Sequence, residues 1–194
     1  MARPREFDPH AALQTAIDVF WEKGYFDGSV DEIVRRSGVA KYGIYGTFGS
    51  KRELFIQALH QYGKDRRNDM QRTILALDAS LPEIIEYFNE ISKRVMHPNT
   101  ERRGCLLCNT GVELATQDPE IGSLVNTYFD DLAHVLQGCL RRAIVNEEIA
   151  EDADVERLGR FLATEFRVLL MLAASGKSQR EIWDHLETAL LVLK

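Results

Sequence analysis

The residues best suited to chemistry in this chain are hydrogen-bond donors rather than nucleophiles. Lys41, Tyr42, Gly43, Tyr45, Gly46, Thr47 and Lys51 crowd into one short stretch. Two ammonium groups, two phenols and a hydroxyl can donate to phosphate oxygens, contacts that fix a protein on a nucleic acid without reading its sequence. Tyr42 and the face around Gly43 are the groups placed for base edges. Two glycines in a helix this short cost about 1 kcal/mol each against alanine. A surface that must approach another backbone closely gives that cost a reason. The plainer reading is that Gly43 and Gly46 let neighbouring helices pack.

A second stretch, Arg102-Arg103-Gly104-Cys105-Leu106-Leu107-Cys108-Asn109, puts polar groups into an otherwise apolar segment. Cys105, Asn109 and Glu113 stand four apart, along one stripe of a helix, where polar groups must be paired or functional. Two arginines and a helix N-terminus beside Cys105 would lower the pKa of its thiol. The simpler reading is a small buried cysteine packed between helices. Cys105-x-x-Cys108 has no second CxxC or CxxH nearby, so no metal is assigned. His10, His60, His97, His134 and His185 fall on separate segments without ligand spacing. There is no GxSxG, HExxH, P-loop or GxGxxG, so neither an enzyme nor a cofactor is expected.

Positioning these groups falls to helices. Asp8-Pro9 is an N-cap followed by a first-turn proline. Leu13, Ala16, Ile17, Phe20 and Trp21 then form one helical stripe, which Gly24 ends. Ser29 with Glu32 reads as a capping box for a second helix, with Val30, Ile33 and Val34 inward. Gly38 supplies a left-handed residue and a sharp turn before a short helix over 40–48, with Val39, Ile44 and Phe48 in its core. A helix pair joined by so short a glycine turn is the helix-turn-helix pattern, whose second helix fits the major groove. Ser50 with Glu53 opens a helix expected to run over 51–78. Ser80 and Glu83 open the next, ended by His97-Pro98-Asn99-Thr100, and an apolar helix follows over 104–116. Asp118-Pro119 starts a long helix carrying Ile121, Leu124, Val125, Tyr128, Phe129, Leu132 and Leu136 inward. The helix over 155–174 is apolar round most of its circumference and needs a partner surface besides its own core. Ser178 and Glu181 cap the last helix.

The fold class is therefore all-α, with about nine helices and no convincing strand. Composition is that of an ordinary globular protein, 45% hydrophobic and 28% charged. No run of about 18 apolar residues predicts a membrane span, and the first ten residues lack a secretory signal's apolar core, which makes the cytoplasm the expected compartment. Three cysteines fit free thiols in a reducing compartment. Net charge is −6, and its distribution is uneven. Residues 1–52 hold eight Lys/Arg against seven Asp/Glu, and the remainder sixteen against twenty-three. A phosphate backbone is drawn to the first part and repelled by the second.

The stretch over 29–55 resembles the DNA-binding domain of TetR-family transcriptional repressors. The residues that carry the resemblance are Phe20 and Gly24-Tyr25, Ser29-Val30-Asp31-Glu32-Ile33, Ser37-Gly38-Val39, Ile44-Tyr45-x-x-Phe48 and Ser50-Lys51-x-x-Leu54-Phe55. It covers about the first 60 residues. Two positions depart from it: a small hydroxyl and a glycine are common where this chain has Ala40 and Tyr42. The resemblance implies phosphate contacts at Tyr45, Thr47 and Lys51 and groove contacts from Lys41 to Gly43, and Ser29, which opens the first helix of the pair, is counted with them. It also implies a helix-turn-helix domain over 1–52 and an effector-binding and dimerisation body over 53–194. Partners would be a pseudo-palindromic duplex operator, a second copy joined through the last two helices, and a small-molecule effector. Gly104-Cys105-Leu106 followed by Asn109 and Glu113 is similar to a branch of the family in which some members sense electrophiles or oxidants through that cysteine. Facing stripes place Tyr87, Phe88, Ile91, Cys105, Asn109, Glu113, Tyr128 and Phe166 around an effector or sensing site. The alternative function is a helical thiol switch or small-molecule-binding protein with reduced or lost DNA binding.

Overall fold

The computed structural model describes residues 7–97 and 103–194. The expectations for Arg102 and the Pro98-Asn99-Thr100 break lie outside the described residues. Among the described residues there are nine α-helices and no strand.

Helix starts are set by side chains that take the first free N–H groups. α1 (Pro9–Asp27) opens with Asp8, whose carboxylate accepts from the His10 N–H at 2.9 Å. α2 (Val30–Ser37) opens with Ser29, which accepts from the Glu32 N–H at 3.1 Å. The other half of the expected capping box is not made. Glu32 instead accepts from Arg35 at 2.6 Å and Arg36 at 2.7 Å, because two guanidiniums offer stronger, charge-assisted bonds than one amide. Gly38, at φ 71°, closes α2 with its N–H on the Val34 carbonyl at 3.0 Å. α3 (Lys41–Phe48) follows at once. Ser50 and Glu53 make both halves of a capping box for α4 (Lys51–Met70).

Three elements end differently from expectation, each for a local reason. α1 does not stop at Gly24. It bends there, at φ 74° and ψ −177°, and makes one more turn to Asp27, because a carboxylate from elsewhere takes the N–H groups freed by the bend. α4 stops at Met70 rather than 78. The Thr73 hydroxyl and the Leu75 N–H both donate to the Met70 carbonyl, at 3.4 and 3.0 Å, and the chain turns to bury Ile74. α6 (Leu106–Leu114) is shorter than 104–116 because Gly104 takes a positive φ and Cys105 is extended.

Packing follows the apolar stripes. Phe20 of α1 meets Phe55 of α4 edge-on at 4.9 Å, and Ile33, Ile44 and Phe48 close the small core beneath α3. α5 (Leu81–Met96), α7 (Pro119–Val145) and α8 (Val155–Ala174) form the larger body, with Tyr87 stacked on Phe166 at 5.7 Å. α9 (Gln179–Leu190) runs into a 3-10 turn at Leu191–Leu193 and is pinned to α8 by His185 and Glu165 at 2.6 Å. α4 belongs to both parts: Phe55 and Tyr62 meet Phe20 and Trp21 of α1, and Leu59 and Met70 line a space against α7. No described helix is long and apolar enough to cross a membrane.

Candidate DNA-reading surface and its coupling to the body

α3 presents its polar face outward because Ile44 and Phe48 are drawn into the core. Tyr42 is 90% exposed and Tyr45 is 42% exposed. A phenol on so bare a surface buries nothing within the chain, so packing does not account for it. Lys41 lies at 2.7 Å from Asp31 of α2, an exposed pair of small energetic weight. The two glycines differ. A Cβ at Gly43 would stand 3.1 Å from the Phe7 ring and 3.2 Å from Val39, whereas at Gly46 it would meet nothing within 4 Å. Gly43 therefore makes room for Phe7, and Gly46 leaves a bare patch of backbone. Lys51, at the start of α4, donates to the Phe26 carbonyl at 3.1 Å and lies over the Tyr25 ring at 4.8 Å. Ser29 uses its hydroxyl as the α2 cap. Thr47 is half-buried on the same helix as Tyr42.

Two grips join this surface to the body. At the Gly24 bend the N–H groups of Tyr25 and Phe26 lose their helical acceptors. Both oxygens of Glu113, on α6, accept them at 3.0 Å each. A Cβ at residue 24 would stand 2.7 Å from the Glu113 carboxylate, so the glycine answers both the positive φ and the close approach. Higher on α1, the Trp21 indole N–H donates to the Arg103 carbonyl at 3.2 Å, and Asn109 donates to the same carbonyl at 2.9 Å. The Arg103 guanidinium reaches Glu22 at 3.2 Å. The second grip is Arg52, which donates to Asp118 at 2.8 and 3.0 Å and to Glu120 at 2.6 Å, both at the start of α7.

Of the residues expected at an effector site, Cys105, Tyr128 and Phe166 line one small cavity of about 90 Å³, together with Trp21, Tyr62 and Arg66. Tyr87, Phe88 and Ile91 are buried beside it in the core. Asn109 and Glu113 turn instead to the Arg103 carbonyl and to α1. Cys105 stands buried at the N-cap position of α6, and its thiol titrates below the ordinary range. The chief cause is the hydrogen bond from the Cys108 thiol, helped by N–H groups of Cys108 and Leu107 and by the Tyr62 hydroxyl, against the effect of burial. The expected arginine contribution is not among these causes, since the Arg103 guanidinium is spent on α1. Cys108 is pushed upward by the same bond. Among the described residues no group of His, Cys, Asp or Glu is placed to hold a metal ion.

Comparison with known proteins decides the family. Residues 12–58 match the bacterial regulatory proteins of the tetR family, and residues 81–186 match the tetracyclin repressor-like C-terminal domain. The chain belongs to the TetR family of transcriptional regulators. It is 28% identical to the HTH-type transcriptional regulator YezE of Bacillus subtilis over 100% of both chains. It is 27% identical to the HTH-type transcriptional repressor ComR of Escherichia coli, over 97% of this chain and 90% of that one. Among solved structures, a cysteine mutant of the TetR-family regulator CifR bound to 26-bp double-strand operator DNA superposes with a TM-score of 0.84. That match has 27% identity and covers 100% of each chain. Within this TetR regulator, the contacts of Glu113, Arg52 and Trp21 join partners far apart in the chain, and no local pattern marks them. The nearest sequence signal was the polar Asn109–Glu113 stripe on an apolar helix, which asked for partners without naming them.

Proposed function

We propose that this TetR regulator is a dimeric, sequence-specific DNA-binding repressor acting in the cytoplasm and released by a small-molecule or thiol-reactive effector. The observation that carries the reading is the exposed face of α3, with Tyr42 almost wholly in solvent on a helix whose other face is core. Ser29, Lys41, Tyr42, Gly43, Tyr45, Thr47 and Lys51 are the proposed DNA contacts, Tyr42 at base edges and Lys51 and Tyr45 at phosphates. Residues 1–52 are the reading unit and 53–194 the effector and dimer unit, with α4 as the element shared between them. Dimerisation through α8 and α9 is supported by exposed Met171, Leu191 and Val192 on that end of the body. The DNA-bound CifR structure supports the same mode of use.

Effector sensing is assigned to the core around Tyr87, Phe88, Ile91, Cys105, Tyr128 and Phe166, with Asn109 and Glu113 linking it to the Arg103 carbonyl and to α1. The second reading, a thiol switch with reduced or lost DNA binding, draws on the lowered Cys105 thiol. Sequencing the DNA that the protein retains from its own genome separates the two. Repressor function predicts a pseudo-palindromic site with half-site centres about one helical turn, roughly 34–36 Å, apart. Absence of any enriched sequence overturns it.

A further inference from the structure

Two of the three cysteines stand one helical turn apart at the start of α6. Cys105 holds the N-cap position with an extended backbone, at φ −119° and ψ 128°, and Cys108 lies in the turn that follows. An N-cap side chain and the third residue beyond it meet at a helix start, which is how a serine cap reaches its N–H. Here the same spacing brings two thiols together, and the Cys108 S–H donates to the Cys105 sulfur. The N–H groups of Leu107 and Cys108 and the Tyr62 hydroxyl add to that bond in favouring a thiolate at Cys105. Cys105 also opens on the cavity of about 90 Å³. That space is too small for an ordinary organic ligand but admits a molecule of a few heavy atoms, such as a small peroxide. Cys139 is engaged elsewhere: its S–H donates to the Ile74 carbonyl at 3.2 Å, and burial pushes its pKa up.

We propose that Cys105 and Cys108 form a reversible dithiol–disulfide pair oxidised by hydroperoxides, with Cys105 as the attacking thiolate and Cys108 as the resolving thiol. The proposal rests on the thiol-reactive part of the functional reading and names the chemistry for it. In the first step the Cys105 sulfur attacks one oxygen of ROOH. An S–O bond forms, the O–O bond breaks, and the alkoxide leaves as ROH with the proton that Cys105 gave up. In the second, the Cys108 sulfur attacks the Cys105 sulfur. The S–S bond forms, the S–O bond breaks, and hydroxide leaves as water with the Cys108 proton. Together the sulfurs lose two electrons, which the peroxide takes up. The order of roles follows from the neighbours. In the reduced pair Cys108 is the donor, and that bond and burial hold its pKa up. Oxidation of Cys105 removes the bond and leaves the Arg167 guanidinium of α8, which acts to lower the Cys108 pKa. Closing the disulfide needs Cβ atoms about 3.5–4.5 Å apart, against about 5–6 Å for the same spacing within a helix. The extended Cys105, outside the helix proper, gives the freedom to close that gap. A disulfide also halts oxidation before the irreversible acids.

The test treats the reduced full-length protein with a few equivalents of hydrogen peroxide, blocks remaining thiols with N-ethylmaleimide in denaturant, and cleaves after glutamate. Cleavage leaves Cys105 and Cys108 together on residues 102–113 and Cys139 on a different peptide. In the wild type, peptide 102–113 is expected to lose two hydrogen atoms and take no maleimide, Cys139 to stay blocked, and dithiothreitol to restore all three thiols. Cys108→Ser is expected to lose the disulfide and to give a dimedone adduct at Cys105, which excess peroxide carries on to sulfinic acid. Cys105→Ser is expected to leave Cys108 unoxidised. Circular dichroism checks both variants, and the wild-type peptide decides alone where either is unfolded. An unoxidised peptide 102–113, a disulfide to Cys139 or between chains, or a sulfenic acid at Cys105 persisting beside a free Cys108 overturns the proposal. Operator affinity of the oxidised protein is measured separately by anisotropy. A disulfide that forms without changing that affinity supports the pair and sinks thiol-reactive release, so the two failures are told apart.

Discussion

At the scale of single residues, Tyr42 and Lys51 make opposite use of similar positions. Tyr42 touches little and is 90% exposed, so Tyr42→Ala should leave stability within about 0.5 kcal/mol. Its effect should fall on sequence preference, about 1 kcal/mol between the preferred and altered operator. Lys51 is proposed to contact phosphate and no base. Lys51→Ala should weaken binding to all duplexes alike and lower the slope of log affinity against log salt by about 1. Anisotropy titrations of both variants against two duplexes at several salt concentrations check the pair. A sequence-selective Lys51→Ala, or a Tyr42→Ala that weakens all duplexes equally, would reverse the assignment of roles.

At the scale of elements, the α1–α6 contact makes one body of two helical units. Glu113→Ala removes the acceptor of two backbone N–H groups and should cost about 1–3 kcal/mol, read by thermal unfolding. Gly24→Ala should cost a similar amount, since it strains a positive φ and crowds the same carboxylate. The α4–α7 contact carries a pH signature. The Arg52 guanidinium, with the α7 N–H groups, holds Asp118 at about 2. A depressed folded-state pKa stabilises above the unfolded value of about 4 and stops doing so as pH falls through the folded one. The stability difference between the wild type and Asp118→Asn should be level above about pH 5 and shrink between about 4 and 2. A difference that instead changes near neutral pH would place the contact elsewhere. Here the limits of the sequence are also plain. Asp8-Pro9, Ser50-Glu53, Asp118-Pro119 and Ser178-Glu181 are legible because a cap acts within three residues. Glu113 is joined to Tyr25 across 88 positions and Arg52 to Asp118 across 66, and no local rule pairs them. The α3 face was legible because its periodicity and glycine turn are local. The cavity at Cys105 was legible only in part, because its walls come from α1, α4, α5, α7 and α8 together.

At the scale of the molecule, the charge imbalance and the α8–α9 end act together. The acidic excess lies beyond residue 52, so the body turns away from a phosphate backbone and the α3 face turns toward it. Two such faces are needed to span a two-fold operator. The surface proposed to join them is the apolar exposure at Met171, Leu191 and Val192. Replacing Leu191 and Val192 together by Asp should yield a folded monomer in sedimentation, with operator affinity lost in parallel. A variant that stays dimeric would move the interface off α9. The central claim is tested most directly by competition. The purified protein is bound to a labelled duplex from its own promoter region and challenged with unlabelled promoter or scrambled DNA as salt is raised. The account predicts displacement by the promoter at concentrations at least about a thousandfold lower than by scrambled DNA, with affinity falling linearly on log salt. Equal displacement by the two would contradict it.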